Sequence, residues 1–204
     1  MIEKYTRDAL IFFATLDPFT TLSIFVALTA QRTAAERRKI AFKATLYSAL
    51  ILCGSVAIGQ VILAAMDISL AAFSVAGGIV LFMFGAQMIF GQATHVDAQA
   101  DPTRDIAVFP LAVPTIAGPG AIMAAILRTD NDVNTISVQV GTAVILLAVL
   151  MLSYLAMLGA NLLIRVIGTT GAAIIVRIMG MILSALAVES VIRGLATMFH
   201  WQVG

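Results

Sequence analysis

The chain runs as a succession of apolar stretches, each about as long as a helix must be to cross a bilayer. The hydrocarbon core is about 30 Å thick and a helix rises 1.5 Å per residue, so a span needs roughly 20 mostly apolar residues. Six stretches meet that length: Asp8–Ala30, Ile40–Met66, Leu70–Phe90, Ile106–Leu127, Ile136–Ile164 and Ala172–Phe199. Polar or basic segments separate them, and Arg165–Gly171 reads as a short loop. His200 and Trp201 fall near the last interface, where amphipathic rings settle. Composition agrees: 61% of the 204 residues are hydrophobic and 11% are charged. A soluble domain carries about 25% charged residues, and no soluble fold of this length hides so much apolar surface. The expectation is an all-α membrane protein forming a single transmembrane domain.

Several classes drop out. A net charge of +1 gives no reason to expect a nucleic-acid partner. Cys53 has no second cysteine to pair with and reads as a packed small residue. His95 and His200 lack ligand spacing, so no metal or other cofactor is expected. There is no Gly-rich phosphate loop, zinc-protease helix or nucleophile elbow, so an enzyme is not expected. Asp17-Pro18 interrupts the first apolar run, which argues for a retained span over a cleaved leader.

Basic residues are distributed unevenly. Arg32, Arg37, Arg38, Lys39, Lys43, Arg104, Arg165 and Arg177 lie beside the segments after spans one, three and five; Lys4, Arg7 and Arg128 lie opposite. The positive-inside rule puts the first loop in the cytoplasm and both termini of this multi-pass protein outside.

The halves repeat. Pro18 and Pro119 interrupt spans one and four, 101 positions apart. Gly78 and Gln87 in span three match Gly180 and Glu189 in span six, each pair 102 positions apart. Three spans is an odd number, so repeat units 8–91 and 106–199, joined by loop 92–105, would enter the bilayer in opposite senses. That is an inverted-topology repeat, an architecture of secondary transporters.

Proline within a helix removes a backbone donor and clashes with the carbonyl four residues back. It also suits the first position of a helix. Each interrupted span therefore reads as two half-helices, the second beginning at Pro18 or at Pro119. Half-helix N-termini carry free N–H groups and partial positive charge. Asp17 can cap its own half-helix, whereas Gly118 has no side chain to cap with. A zwitterion fits this asymmetry, with its carboxylate at Gly118-Pro119-Gly120 and its ammonium near Asp17. Thr20, Thr21 and Thr115 would add hydroxyl contacts. The candidate binding set is Asp17, Pro18, Thr20, Thr21, Gln87, Pro114, Thr115, Gly118, Pro119, Gly120 and Glu189. Gln87 and Glu189 enter as polar residues at membrane depth that would line a shared cavity. The alternative for Glu189 is an ion pair with Arg193 one turn on. The glycines of spans three and six read as helix-packing positions, and the run Arg37-Arg38-Lys39 as a topology determinant with lipid headgroup contact as a second option.

These residues resemble a known family. Leu16-Asp17-Pro18-Phe19-Thr20-Thr21, Ile68-Ser69-Leu70-Ala71-Ala72-Phe73, Ala76-Gly77-Gly78-Ile79 and above all Pro110-Leu111-Ala112-Val113-Pro114-Thr115-Ile116-Ala117-Gly118-Pro119-Gly120-Ala121 resemble the MarC family of bacterial inner-membrane proteins. The resemblance implies six spans in the cytoplasmic membrane and, for some members, transport of small neutral amino acids such as glycine and alanine. Asp17 and Glu189 stand where members often carry asparagine and glutamine. The expected function is a secondary transporter of a small neutral amino acid or similar metabolite. The alternatives are a channel or exporter for another small solute, or a non-transporting membrane partner. The coupling ion, H+ or Na+, and homo-oligomerisation are left open by the residues.

Overall fold

The computed structural model describes residues 2–91 and 105–200. Connecting loop 92–105 lies outside them except for Asp105, as do His95, Arg104 and Trp201. Among the described residues the fold is helical throughout: α1 (Ile2–Leu16), α2 (Pro18–Thr29), α3 (Ala34–Ala65), α4 (Leu70–Ile89), a widely wound segment Ala107–Ile116, α5 (Pro119–Arg128), α6 (Ile136–Leu158) and α7 (Ala160–Phe199). Five stretches are long and apolar enough to cross a membrane: α1 with α2, α3, α4, α6, and Thr170–Phe199 of α7. The wound segment and α5, bent by 54° between them, make a sixth if the pair is one span.

Local chemistry sets the boundaries. Thr33 and Glu36 form a reciprocal capping box at the start of α3. The Ser69 hydroxyl accepts from the Ala72 amide to start α4. α1 and α2 meet at Asp17, whose left-handed backbone (φ 39°, ψ 78°) is one that aspartate tolerates.

Three expectations are corrected. Span five ends at Leu158, not Ile164, because Gly159 closes α6 by donating to Leu155. The apolar residues Leu162 and Leu163 follow that turn, so hydropathy alone runs through it. Residues 165–171 are not a loop but lie within α7, broken only at Gly168 (φ 72°). The first half of span four is not a regular half-helix. Phe109 and Val113, each preceding a proline, adopt extended backbone, as a residue before proline prefers. The winding widens to bonds five residues back, from Leu111 to Ile106 and from Ala117 to Ala112.

The spans pack as a single bundle. α1 lies on α6, α3 on the wound segment and α5, and α4 against α7. The α4–α7 pair is antiparallel. Ser74 donates to the Ser190 carbonyl, Gly78 meets Ala187, and Gly85 meets Gly180. A side chain at Gly85 would collide with the Gly180 carbonyl, so the two backbones are close because the residues between them are small. The two ends of the bundle differ. At one, Gln60 of α3 donates to the Ile126 and Thr129 carbonyls and accepts from the Asn131 amide. At the other, Lys43 donates to Asp105 at 3.1 Å. That bond, with the Ala107 amide, holds the Asp105 carboxyl below its ordinary range.

Candidate functional site

The two interruptions share one core. Leu16 and Leu22 beside the first, and Ile116, Ala117 and Ala121 beside the second, belong to a single buried cluster. The proline of each span leaves backbone carbonyls without their usual donor, and within an apolar core these must be satisfied internally. Threonine hydroxyls do much of this. Thr115 donates to the Pro110 carbonyl at 2.8 Å, the acceptor that Pro114 cannot serve. Thr21 donates to the Leu16 carbonyl at 3.4 Å, which is free because the Thr20 amide turns to Asp17 Oδ1 at 3.2 Å. The sequence-based candidates therefore separate. Thr21 and Thr115 are buried, but their protons are committed to backbone.

Asp17 and Thr20 are different. They are 3% and 1% exposed, and Asp17 Oδ2 and Thr20 Oγ1 have no hydrogen-bond partner among the described residues. They lie three residues apart, at the N-terminus of α2. Buried polar atoms are nearly always paired, so two such atoms in one turn make this the leading candidate for a ligand contact.

At the second interruption Gly118 caps α5 with no side chain. Its conformation (φ −79°, ψ 170°) is open to any residue, so conformational freedom is not why glycine stands there. Space is the reason: a Cβ would lie 2.5 Å from the Pro114 carbonyl oxygen. Gly118 and Gly120 are buried, whereas Pro114 and Pro119 are exposed.

Gln87 and Glu189 are not part of this buried group. Both are exposed on α4 and α7, and Glu189 accepts from Arg193 one turn on. The expected shared cavity between them is corrected accordingly, since the α4–α7 contact uses the glycine and serine faces of those helices.

A second polar centre escaped the sequence reading. Asp8 on α1 is fully buried and accepts from Lys4 Nζ at 2.7 Å and Thr142 Oγ1 at 2.9 Å. It also pairs with the Arg128 guanidinium. Lys4 Nζ donates in turn to Thr142 at 2.8 Å. The cluster ties α1, the end of α5 and the start of α6 together at the end of the bundle that carries Gln60. The signal in the sequence was Lys4 four residues before Asp8, a helical ion-pair spacing. Arg128 and Thr142 lie too far along the chain for spacing to reveal them.

Comparison with known proteins fits this architecture. The MarC family, described as integral membrane proteins, matches residues 2–199. A UPF0056 membrane protein of Methanocaldococcus jannaschii is 34% identical over 189 residues, covering 90% of this chain and 91% of that one. The UPF0056 membrane protein YvbG of Bacillus subtilis is 35% identical over 162 residues, 74% of this chain and 76% of its own. The inner membrane protein MarC of Salmonella paratyphi A is 30% identical over 148 residues, covering 65% and 67%. No solved structure matches the chain. By the match across nearly its whole length, the chain belongs to the MarC family of integral membrane proteins.

Proposed function

We propose that this chain is a secondary carrier of small neutral zwitterions, glycine- or alanine-like amino acids among them, in the cytoplasmic membrane. The observation that carries the reading is the pair of orphaned oxygens, Asp17 Oδ2 and Thr20 Oγ1, in the same core as the uncapped start of α5. An ammonium supplies the donors that Asp17 lacks. A carboxylate suits the amide-bearing end at Gly118, where the helix dipole is positive. The surrounding residues Leu16, Ile116 and Ala121 are fully buried and apolar, which suits a ligand with a small apolar side chain.

The carrier works by alternating access between two three-span repeats of opposite orientation. The helix packing supports this. An offset of 102 exchanges the Gly78–Ala187 contact with the Gly85–Gly180 contact. Exchanging the halves likewise turns the α1–α6 packing into that of the wound segment on α3, and α4 on α5 into α7 on α2. Asp17, Thr20 and Gly118 are buried, so on this reading a ligand reaches them only when one repeat rocks against the other. Burial of these groups suits a carrier better than an open channel. The basic loops place the α2–α3 end in the cytoplasm and both termini outside. The chain then needs no cofactor and performs no covalent chemistry.

Purified protein in liposomes tests the reading. Saturable uptake of labelled glycine or alanine, dependent on an imposed H+ or Na+ gradient, is the expected outcome. Flux that rises linearly with solute would instead mean a channel, and no flux of any neutral amino acid would remove the carrier reading.

A further inference from the structure

We propose that the end of the bundle carrying the α2–α3 loop holds a binding site for the phosphate headgroup of an anionic phospholipid. A cavity of about 270 Å³ opens there, lined by Arg32, Arg37 and Arg38 and by Ala34, the first residue of α3. Its remaining walls are apolar: Phe25 of α2, and Met157 and Leu158 at the end of α6. Among the described residues no carboxylate lines it. The nearest acid along the chain, Glu36, accepts from the Thr33 amide and hydroxyl at 2.8 and 2.9 Å and lies 3.9 Å from Arg32.

Each feature narrows the ligand. Three guanidiniums, which match phosphate oxygens in pairs, select an anion. The positive end of α3 adds to the same field. The Arg37 guanidinium lies 5.5 Å from the centre of the Phe25 ring, a cation–π contact that holds it beside the apolar wall. An inorganic anion has no use for Phe25, Met157 and Leu158, whereas a lipid lays its glycerol and first methylenes against them. Depth agrees too. α2 ends at Thr29, α3 starts at Ala34 and α6 ends at Leu158, so the cavity sits where the spans leave the hydrocarbon and headgroups begin. Basic pockets at that level are where anionic headgroups are held. This inference rests on the membrane architecture and not on the transport reading.

The test uses the full chain in phosphatidylcholine nanodiscs, titrated with phosphatidylglycerol and followed by native mass spectrometry and by thermal unfolding. Retained phosphatidylglycerol and a raised midpoint are expected for the unmodified protein. Arg32→Gln with Arg37→Gln and Arg38→Gln should weaken retention at least tenfold, roughly in line with the loss of several basic contacts. Because those arginines also bias topology, Leu158→Glu provides a second route. It keeps every arginine, sets a carboxylate in the cavity and should weaken retention comparably. Arg193→Gln, away from the cavity, should leave it unchanged. Equal retention by all variants, or no preference for phosphatidylglycerol over phosphatidylcholine, overturns the proposal. So does millimolar inorganic phosphate raising the midpoint as far as the lipid does, which would make this a site for a soluble anion.

Discussion

Replacing Asp8 by asparagine is expected to cost the folded bundle about 3–5 kcal/mol, the usual penalty for removing one partner from a buried charge cluster. The carboxylate is fully buried, while the side chains of Lys4 and Arg128 are each 26% exposed. Without it, two cations and the Thr142 hydroxyl face one another around an amide that cannot neutralise them. Thermal unfolding in detergent should show a midpoint well below that of the unmodified protein. Arg128→Gln alone should be milder, because Lys4 and Thr142 still satisfy Asp8. The double variant should be less destabilised than the sum of the two single changes, since each removes the same interaction. Single changes worth less than about 1 kcal/mol would reduce the cluster to the standing of an exposed ion pair. The position of the cluster adds a functional consequence. It joins α1, α5 and α6 at one end of the bundle, so any opening at that end must separate these groups.

The second large effect is expected at Asp17. Asp17→Asn keeps an oxygen to accept from the Thr20 amide, so the start of α2 should hold and the unfolding midpoint should change little. What it removes is the carboxylate's capacity to carry a negative charge opposite an ammonium. Hydrogen bonds to charged groups contribute about 1.5–3 kcal/mol, so affinity for a zwitterion should fall roughly tenfold to a hundredfold. Asp17→Ala removes the cap as well and should lose about 1 kcal/mol of stability besides. Gly118→Leu acts at the proposed carboxylate end of the site. Its Cβ cannot clear the Pro114 carbonyl, so the backbone must shift and the donor end is blocked. Amino acid titrations of each variant, read by thermal shift, check all three. Unaltered affinity in Asp17→Asn would detach the ammonium from Asp17.

The apolar stretches and the proline interruptions were legible in the sequence because hydrocarbon and proline each impose a hard rule on the backbone. Which face of a span turns inward was harder to read. α4 is apolar on every side, so polarity at Gln87 gave no direction. The better guide was the row Ser74, Gly78, Leu81, Gly85 and Met88, spaced three and four apart and buried along its length. Gln87 is off that row. Glu189 is off the matching row Val176, Met179, Leu183 and Ala187 on α7. The roles of Thr21 and Thr115 were hidden for another reason. A threonine near a proline is equally suited to a ligand or to a stranded carbonyl, and only coordinates show which carbonyl is within reach. Asp8 was hidden by distance along the chain, its partners Arg128 and Thr142 lying 120 and 134 residues away.

Placing a cysteine at position 20, with Cys53 changed to serine, tests the central claim most directly. Thr20→Cys replaces an orphaned hydroxyl with a thiol of similar size at the first interruption. The account predicts slow modification by a small membrane-impermeant thiol reagent, and suppression of that modification by saturating glycine or alanine. A thiol that reacts only with reagents dissolved in the bilayer, at a rate no amino acid changes, would contradict it.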